Sequence, residues 1–338
     1  MRAAWIDRYE KDVAAAIGGV KVGEVDTPAA GDDEVMVRVK AAAVNPLDIL
    51  TITGGVKLIQ DYSMPLVLGN EFSGYVEKVG NSVTGFRPGD RVYARTPIDR
   101  AGAFAEYMVL PESALAAMPK GYDFAEAVAI PLTGLTAWQA LKEELRATPG
   151  QSVLIPGGSG SFGRMAVPIA KDLGLTVTVA GNARSREEIL GLGADRYLDY
   201  RKENYWESGI EVDYVIDALG PNEFDHELSV LKAGGTLLGL RGVPNKVFAE
   251  QMGMPLLKRV LFSLAGSKLD GMACKQGKNY RFMFVRADGG QLCHITEIME
   301  QRNVHSAIDP HKFHLDDARD ALGLVASGHP AGKVVIRF

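Results

Sequence analysis

The chain has 338 residues, of which 46% are hydrophobic and 23% charged, enough for two globular domains with a sizeable core. A net charge of −5 and a pI near 5.8 argue against a general nucleic-acid-binding or membrane-surface protein. No apolar run approaches the roughly 18 residues that cross a membrane, and the N-terminus is charged too early for a signal peptide.

Residues 1–124 are rich in strands and turns and poor in helical periodicity. Alternating polar and apolar residues predict strands over 34–41 and 74–80, a turn into a strand over 89–94, and a further strand over 103–109. The pattern predicts a separate antiparallel domain at the start of the chain.

From about residue 123 helices and strands alternate. Helical spacing predicts helices over 124–130 and 133–144, and short apolar runs predict strands over 153–155, 176–179, 196–198, 212–216 and 236–240. Alternation of this kind predicts a parallel sheet with right-handed crossovers. Residues 280–285 predict one more strand, which is either an aromatic edge used for dimerisation or an ordinary strand under a helix.

The end of the chain predicts helices over 291–301 and 315–327 and a last strand over 333–336. The segment 247–279 is rich in Met, Lys and Gly and is interpreted as a mobile flap. Two cysteines, Cys274 and Cys293, are too few for a disulfide framework or a four-cysteine zinc site, so we expect them to be buried or partly buried. A reducing, cytoplasmic setting is therefore predicted.

A glycine motif follows the strand predicted at 153–155. Gly158, Gly160 and Gly163 match G-x-G-x-x-G and precede a helical run that stops at Gly174. A pyrophosphate needs bare backbone N–H groups at a helix N-terminus, and the glycines allow the tight turn and the close approach. The stretch predicts a dinucleotide site formed by Gly158, Ser159, Gly160, Ser161, Phe162 and Gly163.

The residues after the next strand indicate which dinucleotide binds. NAD sites usually carry an acidic residue roughly 20 positions past the glycines. This chain instead has Asn182, Arg184, Ser185 and Arg186, with no acid before Glu187. Such side chains donate to or pair with a 2′-phosphate, and the alternative is that the arginines are solvated residues at the start of the next helix. The missing acid favours NADPH as cofactor.

Six segments in a fixed order resemble the medium-chain dehydrogenase/reductase superfamily over essentially the whole chain. They are Asn45-Pro46-Leu47-Asp48 and residues 69–76, 88–92, 131–138, 215–220 and 332–336. The closest likeness is to the zinc-free quinone oxidoreductase and alkenal/enone reductase branch. It implies an α/β fold, with a Rossmann doubly wound parallel sheet over 125–286. A β-rich GroES-like catalytic domain is then formed from 1–124 and 287–338, and the protein is a homodimer.

Two amides separate this chain from the zinc alcohol dehydrogenases of that superfamily. A cysteine ligand stands there at the position of Asn45 and a histidine at that of Asn70, and amides are poor zinc ligands. We therefore predict no metal. Without a Lewis acid alcohol oxidation is disfavoured, whereas hydride addition to an electrophilic carbon needs only hydrogen-bond donors for the developing enolate oxygen.

The resemblance also implies roles for single residues. It places Asn45 and Asp48 in a cleft between the domains, with a turn-forming Asn-Pro pair as the alternative for Asn45. Thr133 is similar to a position beside the nicotinamide, and the alternative there is a helix N-cap. The further cofactor positions are Tyr200, Gly242, Val243 and Lys333.

The proton donor is the least defined part of the predicted site. Related thioester reductases have a tyrosine where this chain has Val56, so Tyr62 is the nearest candidate and water is the alternative. Arg95 and Tyr75 are interpreted as surface and strand residues.

Together these features predict an NADPH-dependent, metal-free reductase of the C=C bond of α,β-unsaturated carbonyls, or of quinones. The predicted partners are a small-molecule substrate and a second copy of this chain. Binding to nucleic acid or to a membrane is not predicted. An enoyl thioester reductase is the first alternative, and a cofactor-binding structural protein without turnover is the second.

Overall fold

The computed structural model describes all residues from Met1 to Phe338. The chain divides into two compact units, which we call unit 1 (Met1–Leu135 with Arg286–Phe338) and unit 2 (Thr136–Val285). The sequence prediction had divided the chain after residues 124 and 286.

Sixteen strands build the sheets of the two units. They are β1 (Arg2–Ile6), β2 (Lys21–Glu24), β3 (Glu34–Val44), β4 (Leu66–Val67), β5 (Glu71–Val79), β6 (Arg91–Arg95), β7 (Tyr107–Pro111), β8 (Ala116–Ala117), β9 (Ser152–Pro156), β10 (Thr176–Gly181), β11 (Arg196–Asp199), β12 (Val212–Asp217), β13 (Leu231–Gly239), β14 (Asn279–Phe282), β15 (Phe313–His314) and β16 (Val334–Arg337).

Eleven α-helices accompany them. They are α1 (Val13–Gly18), α2 (Pro46–Ile52), α3 (Phe124–Ala127), α4 (Pro131–Gln139), α5 (Ser161–Asp172), α6 (Arg186–Gly191), α7 (Phe224–Ser229), α8 (Lys246–Gln251), α9 (Leu256–Lys275), α10 (Gly289–Arg302) and α11 (Ala318–Ala326). The chain continues from α4 into a π-helical turn, Ala140–Glu144. Short 3-10 turns cover Glu112–Ala114, Ala183–Ser185, Tyr205–Glu207, Pro221–Glu223 and Leu315–Asp317.

The long strand β3 organises unit 1. Its eleven residues pair antiparallel with β5, β7 and β16 in a seven-stranded sheet, and a second sheet has the order β2-β1-β4. The last strand of the chain, β16, lies beside the end of β3, with Val334 opposite Val44. The C-terminal residues therefore complete the sheet that the N-terminal residues begin, as the resemblance implied.

Unit 2 contains one six-stranded sheet, and all of its strand pairs are parallel. The order β11-β10-β9-β12-β13-β14 corresponds to 3-2-1-4-5-6 within the unit, which is the Rossmann order. Residues 153–155 at the centre of the sheet are fully buried because helices cover both faces of a parallel sheet. The predicted fold class is confirmed.

Several sequence predictions of local structure were wrong. The sequence analysis predicted no helix in the segment 247–279, whereas α8 and the twenty-residue α9 occupy most of it. Apolar residues occupy both exposed and buried positions of these helices, so the sequence shows no clear helical period there. Cys274 and Cys293 are exposed rather than buried. No helix has the length and apolar character that crossing a membrane requires.

Gly74 in β5 provides a test of how tightly the main sheet of unit 1 is packed. A methyl group at this position would collide with the carbonyl oxygen of Arg38 on β3. We expect Gly74→Ala to lower the free energy of unfolding by roughly 2 kcal/mol or more. The matched control is Gly323→Ala in α11, where nothing lies within 4 Å of the added methyl. It should stabilise by about 0.5–1 kcal/mol, and equal effects in urea unfolding would contradict this packing.

Candidate active site and cofactor site

A closed network of buried polar side chains lies where β3 ends and α2 begins. Asn45 directly precedes Pro46, the first residue of α2, and its backbone N–H donates to Asp48 Oδ2 at 2.7 Å. Asp48 Oδ1 accepts from the Asn70 amide, also at 2.7 Å. Both oxygens of this buried carboxyl therefore have partners. The predicted Asn-Pro turn is the start of a helix, and it brings Asn45, Asp48 and Asn70 together.

The second half of the network joins β5 to the C-terminus. Glu71 Oε1 lies 2.7 Å from the Lys333 ammonium and 2.7 Å from the Asn45 amide nitrogen. Lys333 also donates to Asn45 Oδ1 at 2.7 Å, so both ends of the Asn45 amide are used. Glu71 Oε2 accepts from the backbone N–H of Leu132. We call Asn45, Asp48, Asn70, Glu71 and Lys333 the polar cluster. Sequence reasoning had not given Glu71 a role, although it follows Asn70 directly.

Burial changes the acid–base properties of Asp48. Removal from water raises its pKa to about 7, against the opposing effect of hydrogen bonds from Asn45 and Asn70. A carboxyl with such a pKa exchanges a proton near neutral pH, which suits a general acid. Tyr62 differs, because burial raises its pKa to about 12 and its hydroxyl donates to the Ile98 carbonyl at 2.8 Å. Tyr62 is therefore a neutral phenol at pH 7.

Arg95 was misplaced by the sequence prediction. It is the last residue of β6 and opposes Glu71 on β5, and its side chain is fully buried rather than on the surface. Tyr75 lies in β5, as predicted, and its ring packs edge-on against Phe124. Alternation along a strand whose two faces are both covered gives no sequence signal for a buried arginine.

In unit 2 the glycine motif forms the turn between β9 and α5. Gly160 stands at the N-terminal cap of α5, which begins at Ser161 and is twelve residues long. A Cβ at Gly163 would collide with the backbone of Gly158, so the helix packs directly on the turn. A Cβ at Gly160 would meet almost nothing, which leaves the loop backbone open to a ligand. This geometry fits a pyrophosphate at a helix N-terminus.

A buried arginine that sequence reasoning missed holds this loop. Arg164 Nε and Nη2 lie 2.5 and 2.7 Å from the two carboxylate oxygens of Glu188. The third nitrogen, Nη1, donates to the Ser159 carbonyl at 2.9 Å. This bidentate pair fixes the position of the glycine loop relative to α6. Its sequence signal is weak, because the two residues are 24 positions apart.

The residues after β10 divide into two groups. Asn182 and Ser185 face the glycine loop: the Asn182 amide donates to Ser159 Oγ at 3.0 Å, and Ser185 is buried. The arginines Arg184 and Arg186 are exposed. Arg186 donates to the Tyr197 carbonyl at 3.2 Å and lies over the Tyr197 ring.

A cavity of about 470 Å³ adjoins the loop and the end of β10. The predicted residues Ser159, Asn182 and Tyr200 line it, and Tyr200 is half exposed. Sequence reasoning missed the other side of the cavity, which comes from irregular segments after β11 and β12. These residues are Glu203, Asn204, Tyr205, Trp206, Leu219 and Glu223.

The remaining predicted residues lie as follows. Thr133 is the third residue of α4 and donates to the Ala129 carbonyl at 3.1 Å, so it is not an N-cap. Gly242 and Val243 follow β13, where Tyr280 donates to the Val243 carbonyl at 2.8 Å. A Cβ at Gly242 would collide with the Tyr280 hydroxyl, so only glycine fits there.

Known proteins match this chain over nearly its full length. The model of the alcohol dehydrogenase GroES-like domain matches residues 31–120, and that of the zinc-binding dehydrogenases matches residues 192–336. A 2-methylene-furan-3-one reductase of Solanum lycopersicum is 31% identical over 92% of this chain and 74% of its own. The NADPH-dependent alkenal/one oxidoreductase of Arabidopsis thaliana is 30% identical over 94% and 77%. The chain belongs to the quinone oxidoreductase branch of the medium-chain dehydrogenase/reductase superfamily.

Solved structures agree with this assignment at the level of the fold. The quinone oxidoreductase of Coxiella burnetii superimposes with a TM-score of 0.82 over 100% of this chain and 99% of its own, at 24% identity. As a member of this superfamily, the protein is an oxidoreductase whose relatives use NAD(P)H and small-molecule substrates.

The polar cluster does not fit the zinc ion that some dehydrogenases of this superfamily bind. Asn45 and Asn70 present amides, and the Lys333 ammonium already lies 2.7 Å from Asn45 Oδ1 and Glu71 Oε1. Zinc sites need thiolate, imidazole or carboxylate ligands, and no group of three or more such side chains is arranged to hold a metal. The glycine loop, by contrast, fits a dinucleotide.

Asp48 generates a prediction about pH and stability. Because its pKa is raised to about 7 in the folded state, folding takes up a proton that the unfolded chain lacks above about pH 4. Its contribution to stability is complete at low pH and is lost as pH rises through 7. We expect wild type, relative to Asp48→Asn, to lose up to about 4 kcal/mol of unfolding free energy between about pH 4 and pH 8.

Urea unfolding at a series of pH values measures this difference. Asp26→Asn is the matched control, because Asp26 is exposed and its removal should leave the pH profile parallel to that of wild type. Parallel profiles for wild type and Asp48→Asn would show that Asp48 ionises normally in the folded protein.

Proposed function

We propose that the protein is an NADPH-dependent, metal-free reductase that acts on the C=C bond of α,β-unsaturated carbonyls or on quinones. The observation that carries the proposal is a dinucleotide-type glycine loop combined with a polar cluster whose amides and ammonium replace metal ligands. The names of the tomato and Arabidopsis relatives are consistent with acceptors of this kind.

The proposed cofactor contacts follow from the geometry of unit 2. Backbone N–H groups of the loop, at Gly158, Ser159, Gly160, Ser161, Phe162 and Gly163, receive the pyrophosphate. Arg184 and Arg186 pair with the 2′-phosphate, since both are exposed beside Asn182 and Ser185, which hold the loop. Tyr200 lines the neighbouring cavity. The roles of Thr133, Gly242, Val243 and Lys333 rest on the family resemblance alone.

The proposed chemistry divides between the bound cofactor and the polar cluster. The reduced nicotinamide supplies hydride. Asp48 supplies or relays the proton, because its pKa of about 7 allows exchange at neutral pH. Asn45 positions rather than donates to substrate, because both ends of its amide are already bonded. Tyr62 contributes a neutral hydroxyl, which donates to the Ile98 carbonyl in this structure.

The direct test is initial-rate NADPH oxidation with EDTA present, using a simple enone, a quinone and a short enoyl-CoA as parallel acceptors. NADH is the control donor. Turnover of the enone or quinone that is unaffected by EDTA supports the proposal. Preference for enoyl-CoA would instead favour a thioester reductase, and tight NADPH binding without turnover of any acceptor would favour a non-catalytic role.

The 2′-phosphate assignment predicts a split between the two cofactors. Arg184→Ala combined with Arg186→Ala should raise the KM for NADPH at least about tenfold and leave the KM for NADH nearly unchanged, because only NADPH carries the extra charge. Arg196→Ala is the matched control. Arg196 is also exposed, but it is the first residue of β11 and lies at the opposite end of that strand from Tyr200. A parallel loss with both cofactors would contradict the assignment.

We also propose a homodimer formed through unit 2. One face of α9 exposes Leu256, Leu257, Val260, Leu261 and Leu264, with exposed fractions from 45% to 77%. Strand β14, against which α9 packs, is the edge of the sheet. A continuous apolar face beside an unpaired edge is typical of a surface that a second copy covers.

Analytical ultracentrifugation tests the dimer. Wild type should sediment as a dimer, and Leu257→Asp with Leu264→Asp should sediment as a monomer, because buried charges oppose association. Leu58→Asp is the control, since Leu58 is an exposed leucine of unit 1. A monomeric wild type would refute the proposal.

For localisation, we propose the cytoplasm. The support is that both cysteines are free and exposed, a state that reducing compartments preserve. Fractionation of cells that produce the protein, with its own N-terminus intact, tests the assignment.

A further inference from the structure

Arg95 is a charged side chain in an unusual position. It ends β6 and opposes Glu71 across the β5–β6 pair, and none of its surface reaches solvent. A guanidinium is almost never fully buried unless acceptors surround it, because removing a charge from water without partners is costly. The partners of Arg95 are therefore informative.

Only one edge of the Arg95 guanidinium is bonded. Nη1 donates to the carbonyl oxygen of Thr96, the next residue. Nε and Nη2 are buried and have no hydrogen-bond partner. These two nitrogens form the fork that elsewhere in this protein, at Arg164, binds the two oxygens of Glu188. At Arg95 the same fork has no hydrogen-bond partner, and a buried donor of this kind requires an explanation, such as a catalytic role or an ordered water.

The acceptors around Arg95 are already engaged. Asp48, Glu71 and Asp99 interact with it electrostatically, but without hydrogen bonds to it. Asp48 accepts from Asn45 and Asn70, and Glu71 accepts from Lys333, Asn45 and Leu132. The polar cluster thus completes its own hydrogen bonds without Arg95. One positive charge with two aligned donors is left without a partner.

Arg95 keeps this charge at neutral pH. Burial lowers its pKa to about 10, and the neighbouring Tyr62 and the carboxylates oppose that decrease. Tyr62 belongs to the stretch 53–65, which contains neither helix nor strand between α2 and β4. An irregular stretch is the kind of segment that yields to an incoming ligand.

We propose that the Nε–Nη2 fork of Arg95 binds the carbonyl oxygen of the acceptor and stabilises the negative charge that develops there during reduction. This inference rests on the proposed function, and it names Arg95 as a catalytic residue for that reaction. The acceptor class is then a molecule whose carbonyl oxygen is conjugated to the carbon that receives hydride, as in enones and quinones. Because Arg95 is fully buried, the inference requires the neighbouring irregular stretch that carries Tyr62 to move when the acceptor enters.

The electron and proton balance of the step is simple. The β-carbon of an enone receives hydride from the reduced nicotinamide, the C=C electrons move to give an enolate, and a proton from solvent or Asp48 completes the saturated ketone. Two electrons and two hydrogens are gained, and the nicotinamide is oxidised. Charge on the enolate oxygen faces the Arg95 fork, where a preorganised cation in a water-poor site is most effective. Arg95 then supplies the positive charge that stabilises the enolate oxygen.

The test compares Arg95→Met, Arg95→Lys and wild type in enone reduction. Loss of an oxyanion donor usually costs about 10²–10³-fold in kcat, so we expect that loss in Arg95→Met with the KM for NADPH unchanged. Arg95→Lys should recover part of it, because lysine keeps the charge but not the fork. Arg91→Met, on the same strand but outside the cluster, is the matched control and should keep wild-type kcat.

Two further readouts separate catalysis from folding. Added guanidinium should restore part of the activity of Arg95→Ala, which a purely structural role does not allow. Binding of 4-nitrophenolate, a conjugated oxyanion, should shift its absorbance with wild type at about pH 8 and fail with Arg95→Met. A kcat within about threefold of wild type in Arg95→Met would overturn the inference, and would assign the fork to an internal water.

The two proposals fail in different ways. Wild type that binds 4-nitrophenolate through Arg95 but reduces no acceptor would refute the proposed reductase and leave the oxyanion site standing. Rapid reduction that does not depend on Arg95 would refute this inference alone. Neither turnover nor phenolate binding would refute both.

Discussion

Unit 1 depends on one buried ion pair. The Lys333 ammonium and the Glu71 carboxylate are 2.7 Å apart, with exposed fractions of 4% and 0% for their side chains. Removing one partner of such a pair typically costs about 3–5 kcal/mol, because the other charge stays buried and uncompensated. The pair persists because Asn45 and the Leu132 N–H supply the remaining hydrogen bonds. It joins the last strand of the chain to residues from the first quarter of the sequence.

The same pair also determines the chemistry of the polar cluster. An internal ammonium and two amides stand where a metal would require thiolate or imidazole. Glu71 is paired with Lys333, and removal of Asp48 from water raises its pKa to about 7. Arg95, beside the cluster, is a cation with two nitrogens that have no hydrogen-bond partner. Under the proposed function, such a site acts on substrates whose carbon is already electrophilic.

In unit 2 the corresponding constraint is that the open glycine loop between β9 and α5 must be held in one position. Glycines remove side chains from the loop, so the loop cannot stabilise itself by packing. Hydrogen bonds to Ser159 stabilise the loop instead. Its carbonyl accepts from Arg164 and Ser185, and its hydroxyl accepts from Asn182. Gly160, at the N-cap of α5, provides no side-chain hydrogen bond to the first backbone N–H groups of the helix.

Sequence patterns were sufficient for the parts of the protein that local chemistry dictates. The glycine motif, the alternation of β and α, and the six family segments predicted the Rossmann unit with its parallel sheet and the return of the chain end. Periodicity and turn chemistry act over a few residues, so a single sequence displays them directly. The long helix α9 escaped prediction because leucines on its exposed face concealed the period.

Only the tertiary structure decided which polar residues meet. Asn45, Glu71 and Lys333 are separated by up to 288 positions, and no local pattern links them. Arg95 looked like a surface residue because a strand alternates in the same way whether one of its faces meets water or another layer of protein. Burial is set by what packs against a residue, and burial in turn sets the pKa of Asp48 and leaves two nitrogens of Arg95 without a hydrogen-bond partner. The sequence by itself determined the fold and the type of cofactor site, whereas long-range packing determined the electrostatics of the polar cluster.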